Sequence, residues 1–124
     1  MPPEESAKPA QLETYEDYLR EGWVLHASRK NEDVAEEYFR KAAVENPSSV
    51  DALYGLGLVL KAQDRRQEAL QVFQKVVELL ESNTVDDRVR AGMLRRLTLG
   101  HINQIRTGDW GLEKEIWKRA DEPS

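Results

Sequence analysis

Ala35, Phe39 and Ala42 stand four and three residues apart, a spacing that sets all three on one face of a helix. Ala69, Phe73 and Val76 repeat the pattern 34 residues later. Upstream of the second set, Leu53, Leu56 and Leu60 form another helical stripe, with Gly57 placed where two backbones can approach closely. The pattern predicts two antiparallel helices per unit. Asp64 with Gln67, and Asp33 with Glu36, have the spacing of capping boxes at the start of each second helix. Pro47, after Glu45-Asn46, and Asn83, after Leu79-Leu80-Glu81, mark where helices should stop.

A fixed period of this length is the signature of stacked supersecondary units. The run Leu53-x-x-Leu56-Gly57-x-x-Leu60, followed by Ala69, Phe73 and Val76, resembles the tetratricopeptide repeat, whose unit is a helix-turn-helix of 34 residues. The resemblance centres on residues 50–83 and extends to the second helix of the preceding unit, with Pro47 at the family's proline position. In the first unit, Leu19 falls opposite Leu53, and Gly22-Trp23 opposite Leu56-Gly57, so a Trp occupies the family's small position. A third unit follows an insertion of about ten residues. There Leu97, Gly100, His101, Gly108, Trp117 and Ala120 fall near the family's spacings, and Glu113 replaces its Ala. The inserted segment keeps a helical rhythm through Val85, Val89, Met93, Leu97 and His101, and so lengthens the third unit's first helix.

The resemblance implies an all-α fold, a right-handed superhelical array of antiparallel helix pairs (an α-α solenoid) with about three units and six helices. One domain is expected over residues 12–120, with units at 16–49, 50–83 and 84–120. A disordered N-terminal tail (1–11) precedes it, and a C-terminal tail (121–124) follows.

Composition narrows the setting. With 124 residues the chain suits a single domain. A mean hydropathy of -0.70 and 33% charged residues describe a soluble protein with a charged exterior. Residues 1–11, rich in Pro, Glu, Ser and Lys, lack the apolar groups to offset ordering entropy. No run of apolar residues is long enough for a membrane span, and no secretory pattern opens the chain, so a cytoplasmic location without membrane contact is expected. The absence of cysteine removes disulfides, thiolate chemistry and cysteine zinc sites from consideration. A net charge of -5 argues against nucleic acid as a partner.

Little in the sequence points to catalysis. His26 and His101 have no partners at metal or catalytic spacing and read as structural histidines near a packing seam. The adjacent pairs Glu36-Glu37 and Asp86-Asp87 point to different helical angles, as solvated faces do. Gly55 and Gly57 lie inside a helix, where they cannot cradle a phosphate. No enzymatic activity, cofactor or metal is expected.

The family resemblance implies a concave groove lined by the first helix of each unit, suited to a peptide or partner protein. Its groove-facing positions carry over to Asp17, Arg20 and Val24 in the first unit and to Asp51, Tyr54, Leu58 and Lys61 in the second. In the third they fall on Arg95, Ile102 and Arg106, with Arg88 continuing the face. Such a groove is apolar at its centre and cationic toward the third unit, which suits an acidic ligand, although surface arginines are as readily explained by solvation or by pairing with Asp86 and Asp87. The alternative function is structural. Trp110, Leu112, Ile116 and Trp117 populate an expected last helix with no further helix to cover it. They either pack back onto the long helix or meet a partner subunit or second copy in a homodimer.

Overall fold

The computed structural model describes residues 14–29, 31–82 and 87–111, and every helix or strand assigned among them is an α-helix. Five helices follow in order: α1 (Tyr15–Ser28), α2 (Glu32–Glu45), α3 (Val50–Ala62), α4 (Arg66–Glu81) and α5 (Arg88–Thr107). Each packs against its successor, and α1 also touches α3. Turns of three or four residues join the first four helices, too short for anything but antiparallel neighbours.

Local chemistry sets the helix starts, and not always as the spacing predicts. Thr14 Oγ1 accepts from the Asp17 amide at 3.1 Å, Ser49 Oγ from the Ala52 amide at 3.0 Å, and Asp87 Oδ1 from the Arg90 amide at 3.0 Å. Each satisfies a donor that the first helical turn leaves unpaired, worth about 1 kcal/mol. The two predicted capping boxes do not form. Asp64 lies before the cap with a φ of 62°, and the N-cap residue of α4 is Arg65, which makes no side-chain cap bond. In α2 the N-cap residue is Asn31, so Asp33 falls within the first turn. The expected stop before Pro47 holds, since α2 ends at Glu45.

The core is built on the repeated triplets. Ala35, Phe39 and Ala42 of α2, and Ala69, Phe73 and Val76 of α4, are all fully buried. Each Phe lies against a glycine of the preceding helix: Phe39 over Gly22 and Phe73 over Gly57. A Cβ on Gly57 would come within 2.5 Å of the Phe73 ring, so the absent side chain lets the two helices approach this closely. α3 is the centre of the assembly, with Ala52, Leu56, Val59 and Leu60 all buried.

These pairings fix the phase of α1. Gly22 and Gly57 are 35 residues apart, as are the caps Thr14 and Ser49 and the left-handed turn residues Arg29 (φ 57°) and Asp64 (φ 62°). The period returns to 34 between Phe39 and Phe73. One extra turn residue accounts for the change: positions 30 and 31 separate Arg29 from α2, whereas Arg65 alone separates Asp64 from α4. The 34-residue alignment therefore misplaces α1 by one position, about 100° around its axis.

α5 has 20 residues against 13 in α3 and also turns a different side inward from the one expected. Its buried stripe is Leu94, Thr98 and Ile102, whereas Val89 is 85% and Met93 54% exposed. The fully buried Thr98 hides this stripe in the sequence; its hydroxyl donates to the Leu94 carbonyl at 2.7 Å and so is satisfied without solvent. α5 ends at Gly108 (φ 81°). Trp110, expected on a last helix, instead lies in the turn that follows, with its ring over Gly100 and its carbonyl accepting from Asn103 Nδ2 at 3.1 Å. Leu112, Ile116 and Trp117 lie outside the described residues.

Candidate functional site

The first and third helices meet along one side of the stack, and side chains from α5 extend that side. Trp23 of α1 contacts Tyr54 of α3 with ring centroids 6.5 Å apart. Tyr54 meets Phe73 at 6.1 Å and His101 of α5 at 5.8 Å. His101 stacks on Phe73 at 5.1 Å, its plane tilted by 8°, and takes the edge of Trp110 at 4.7 Å. An aromatic path thus runs from the first helix to the turn after the last described one.

A polar ladder accompanies it between α3 and α5. At the top Arg90 pairs with Asp51. Lower down, Lys61 Nζ donates to His101 Nδ1 at 2.9 Å and to Gln104 Oε1. An ammonium group can only donate, so Nδ1 must carry a lone pair and the neutral imidazole holds its proton on Nε2. That nitrogen donates to the Tyr54 hydroxyl oxygen at 3.2 Å. Burial, helped by the Lys61 charge, lowers the His101 pKa to about 4. Burial likewise lowers the Lys61 pKa and raises that of Tyr54.

Several expected groove residues lie elsewhere. With α1 in its observed phase, the equivalents of Asp51, Tyr54, Leu58 and Lys61 are Glu16, Leu19, Trp23 and His26. Asp17 and Val24 instead match Ala52 and Val59, which are fully buried in α3, and Arg20 matches Gly55. In α1, the first described helix, that side is open: Val24 is 55% exposed, and Arg20 pairs with Asp17 at 2.8 Å. Ile102 is a core residue at 6% exposure, and Arg95 turns toward α4, bonding Glu81 at 2.8 Å. Arg88 lies at the start of α5 beside Val89 and Arg96 on a surface depression away from α3. Of the predicted residues, the structure brings Asp51, Tyr54 and Lys61 together, with Leu58 packed against the same core and Arg106 near Lys61 at one end.

Sequence reasoning missed Trp23, Arg90, His101 and Gln104 as members of this face. For the α5 residues the signal was the buried stripe: once Leu94, Thr98 and Ile102 point inward, Arg90, His101 and Gln104 fall toward α3. Trp23 required knowledge of the extra turn residue.

A second polar cluster ties the second helices together. Glu36 of α2 accepts from Arg40 Nε at 2.8 Å, Gln63 Nε2 at 3.1 Å and Arg65 at 2.7 Å, and Arg65 also holds Glu68. Burial alone would raise the Glu36 pKa, but these hydrogen bonds and charges together hold it below its usual value. Tyr15 and Ser49, 34 residues apart, join through their hydroxyls at 2.6 Å. His26 bonds Glu32 at 3.0 Å across the first turn.

Among the described residues no helix is long and apolar enough to cross a membrane. Residues 51–79, most of the α3–α4 hairpin, match the tetratricopeptide repeat family. No curated protein and no solved structure matches the chain.

Proposed function

Because this chain is a tetratricopeptide-repeat protein, its matched unit being the α3–α4 hairpin, we propose that it is a non-catalytic protein-interaction scaffold that holds a peptide or partner protein along the side shared by α1, α3 and α5. Repeats of this kind mediate protein-protein interactions. The observation that supports this side is the partly exposed row of Trp23, Tyr54, Leu58 and His101, edged by the charged Asp51, Arg90 and Lys61. Aromatic anchors with a polar rim are the usual energetic core of a recognition surface. The reading carries with it a completed third hairpin, six helices in a right-handed superhelical array, and a cytoplasmic setting.

The test is comparative capture from a native lysate. A partner retained by the natural chain and by Arg95→Glu, but lost with Tyr54→Ala or Trp23→Ala, supports the assignment. A partner lost with Arg95→Glu and kept by both aromatic variants overturns it.

The alternative role, assembly through the C-terminal aromatic residues, has less support. Trp110 is turned onto His101 and Gly100, which leaves Val89 and Met93 as the large apolar side chains most open on α5. A single monomeric mass by light scattering at high protein concentration would reject self-assembly.

A further inference from the structure

Lys61 is a partly buried cation whose polar side-chain partners among the described residues are neutral: His101 Nδ1 and Gln104 Oε1. Its ammonium also lies 5.8 Å from the centroid of the Trp110 ring. Two acidic residues of its own hairpin are engaged elsewhere, Asp51 with Arg90 and Asp64 with Arg66 at 3.0 Å. A charge withdrawn from water without a counter-ion is costly, and an anion beside it would remove that cost.

Lys61 also sits at the edge of a depression of about 640 Å³, where α5 ends beside the α3–α4 turn. Arg66, Gln104, Arg106 and Asp64 share its lining, so three cations face one carboxylate that Arg66 already holds. Arg106 forms no ion pair among the described residues. This is a cationic patch on a chain of net charge -5, and it adjoins the aromatic row.

We propose that this depression is a carboxylate-binding subsite in which Lys61, with Arg106 and the Gln104 amide beside it, receives an acidic group of the partner and sets the direction in which that partner lies along the helices. The inference rests on the binding role proposed above. A carboxylate seated on Lys61 would leave the Gln104 carbonyl free to turn away and its NH₂ group to donate instead. It would also cancel the positive charge that, with burial, keeps His101 neutral.

His101 is therefore a built-in reporter. Its ring resonances are followed by NMR as a function of pH while four probes are added separately: triglutamate with a free C-terminus, the same peptide amidated, triglutamine with a free C-terminus, and inorganic phosphate. The expected result is a saturable shift with a rise in the His101 pKa, weakened about tenfold in Arg106→Gln, whose exposed side chain forms no ion pair among the described residues. Response to amidated triglutamate assigns side-chain carboxylates as the ligand, and response to triglutamine assigns a chain terminus. No saturable shift with any peptide, an unchanged response in Arg106→Gln, or tighter binding of phosphate than of every peptide overturns the subsite. A partner that still depends on Tyr54 but is indifferent to Lys61→Gln and Arg106→Gln would remove this subsite and leave the broader binding role standing.

Discussion

The imidazole of His101 lies flat on the ring of Phe73, centroids 5.1 Å apart and planes within 8°, while Lys61 donates to its Nδ1. Burial of the ring and the Lys61 charge both select its uncharged form. With a folded pKa of about 4 against an ordinary 6.5, the native state binds fewer protons than the unfolded chain between those values. The contribution is fully present above about pH 6.5 and is lost as pH falls toward 4. Allowing for solvent screening at a partly exposed site, about 1–2 kcal/mol should disappear across that window. Urea unfolding at pH 7 and pH 4.5 should show that excess loss in the natural chain relative to His101→Phe; identical pH dependence in both would mean the ring is not sheltered.

The Glu36 pKa is lowered as well, but there the fold favours the charged form. Its folded pKa lies below the usual 4.5, so its contribution is present above that value and lost as pH falls through the carboxylate range. Glu36→Gln removes the charge that Arg40 and Arg65 share, at an expected cost of about 1–3 kcal/mol. Glu68 pairs with the same Arg65 but is 50% exposed, and Glu68→Gln should cost much less than Glu36→Gln. Equal losses by denaturant titration at pH 7 would contradict the central place given to Glu36.

Gly57 and Gly92 make a matched pair of helical glycines. A methyl group at Gly57 meets the fully buried Phe73 ring, which has no room to withdraw, whereas one at Gly92 meets nothing within 4 Å. Gly57→Ala should destabilise by about 1–3 kcal/mol despite its better helix propensity. Gly92→Ala should gain up to about 1 kcal/mol from that same propensity. Thermal unfolding of the two variants should move the midpoint in opposite directions, and a rise for Gly57→Ala would show that the two helices do not approach so closely at that contact.

The buried triplets around Phe39 and Phe73 were legible because apolar spacing alone dictates them. The family match at residues 51–79 falls on the same hairpin. The proposed binding side was legible only for α3. In α1 the phase depends on one extra turn residue, which a 34-residue alignment absorbs silently and which turns Asp17 and Val24 away from Tyr54. In α5 the inward side is marked by Thr98, a residue whose polarity disguises its burial until its hydroxyl is seen bonded to Leu94. Long-range pairs such as Asp51 with Arg90, 39 residues apart, have no signature in local spacing at all.

The inward side of α5 can be settled by two adjacent residues. Leu94 is 6% exposed and packs with Val50, Val76 and Leu80, so Leu94→Ala should cost about 2–5 kcal/mol through lost burial and the cavity left behind. Met93, next to it and 54% exposed, should tolerate alanine within about 0.5 kcal/mol. The contrast is diagnostic because neighbouring helix positions differ by about 100° around the axis. If urea titration found Met93→Ala the more damaging of the two, α5 would have to be rotated toward the Val89–Met93–Leu97 stripe, and His101 and Gln104 would then leave Lys61.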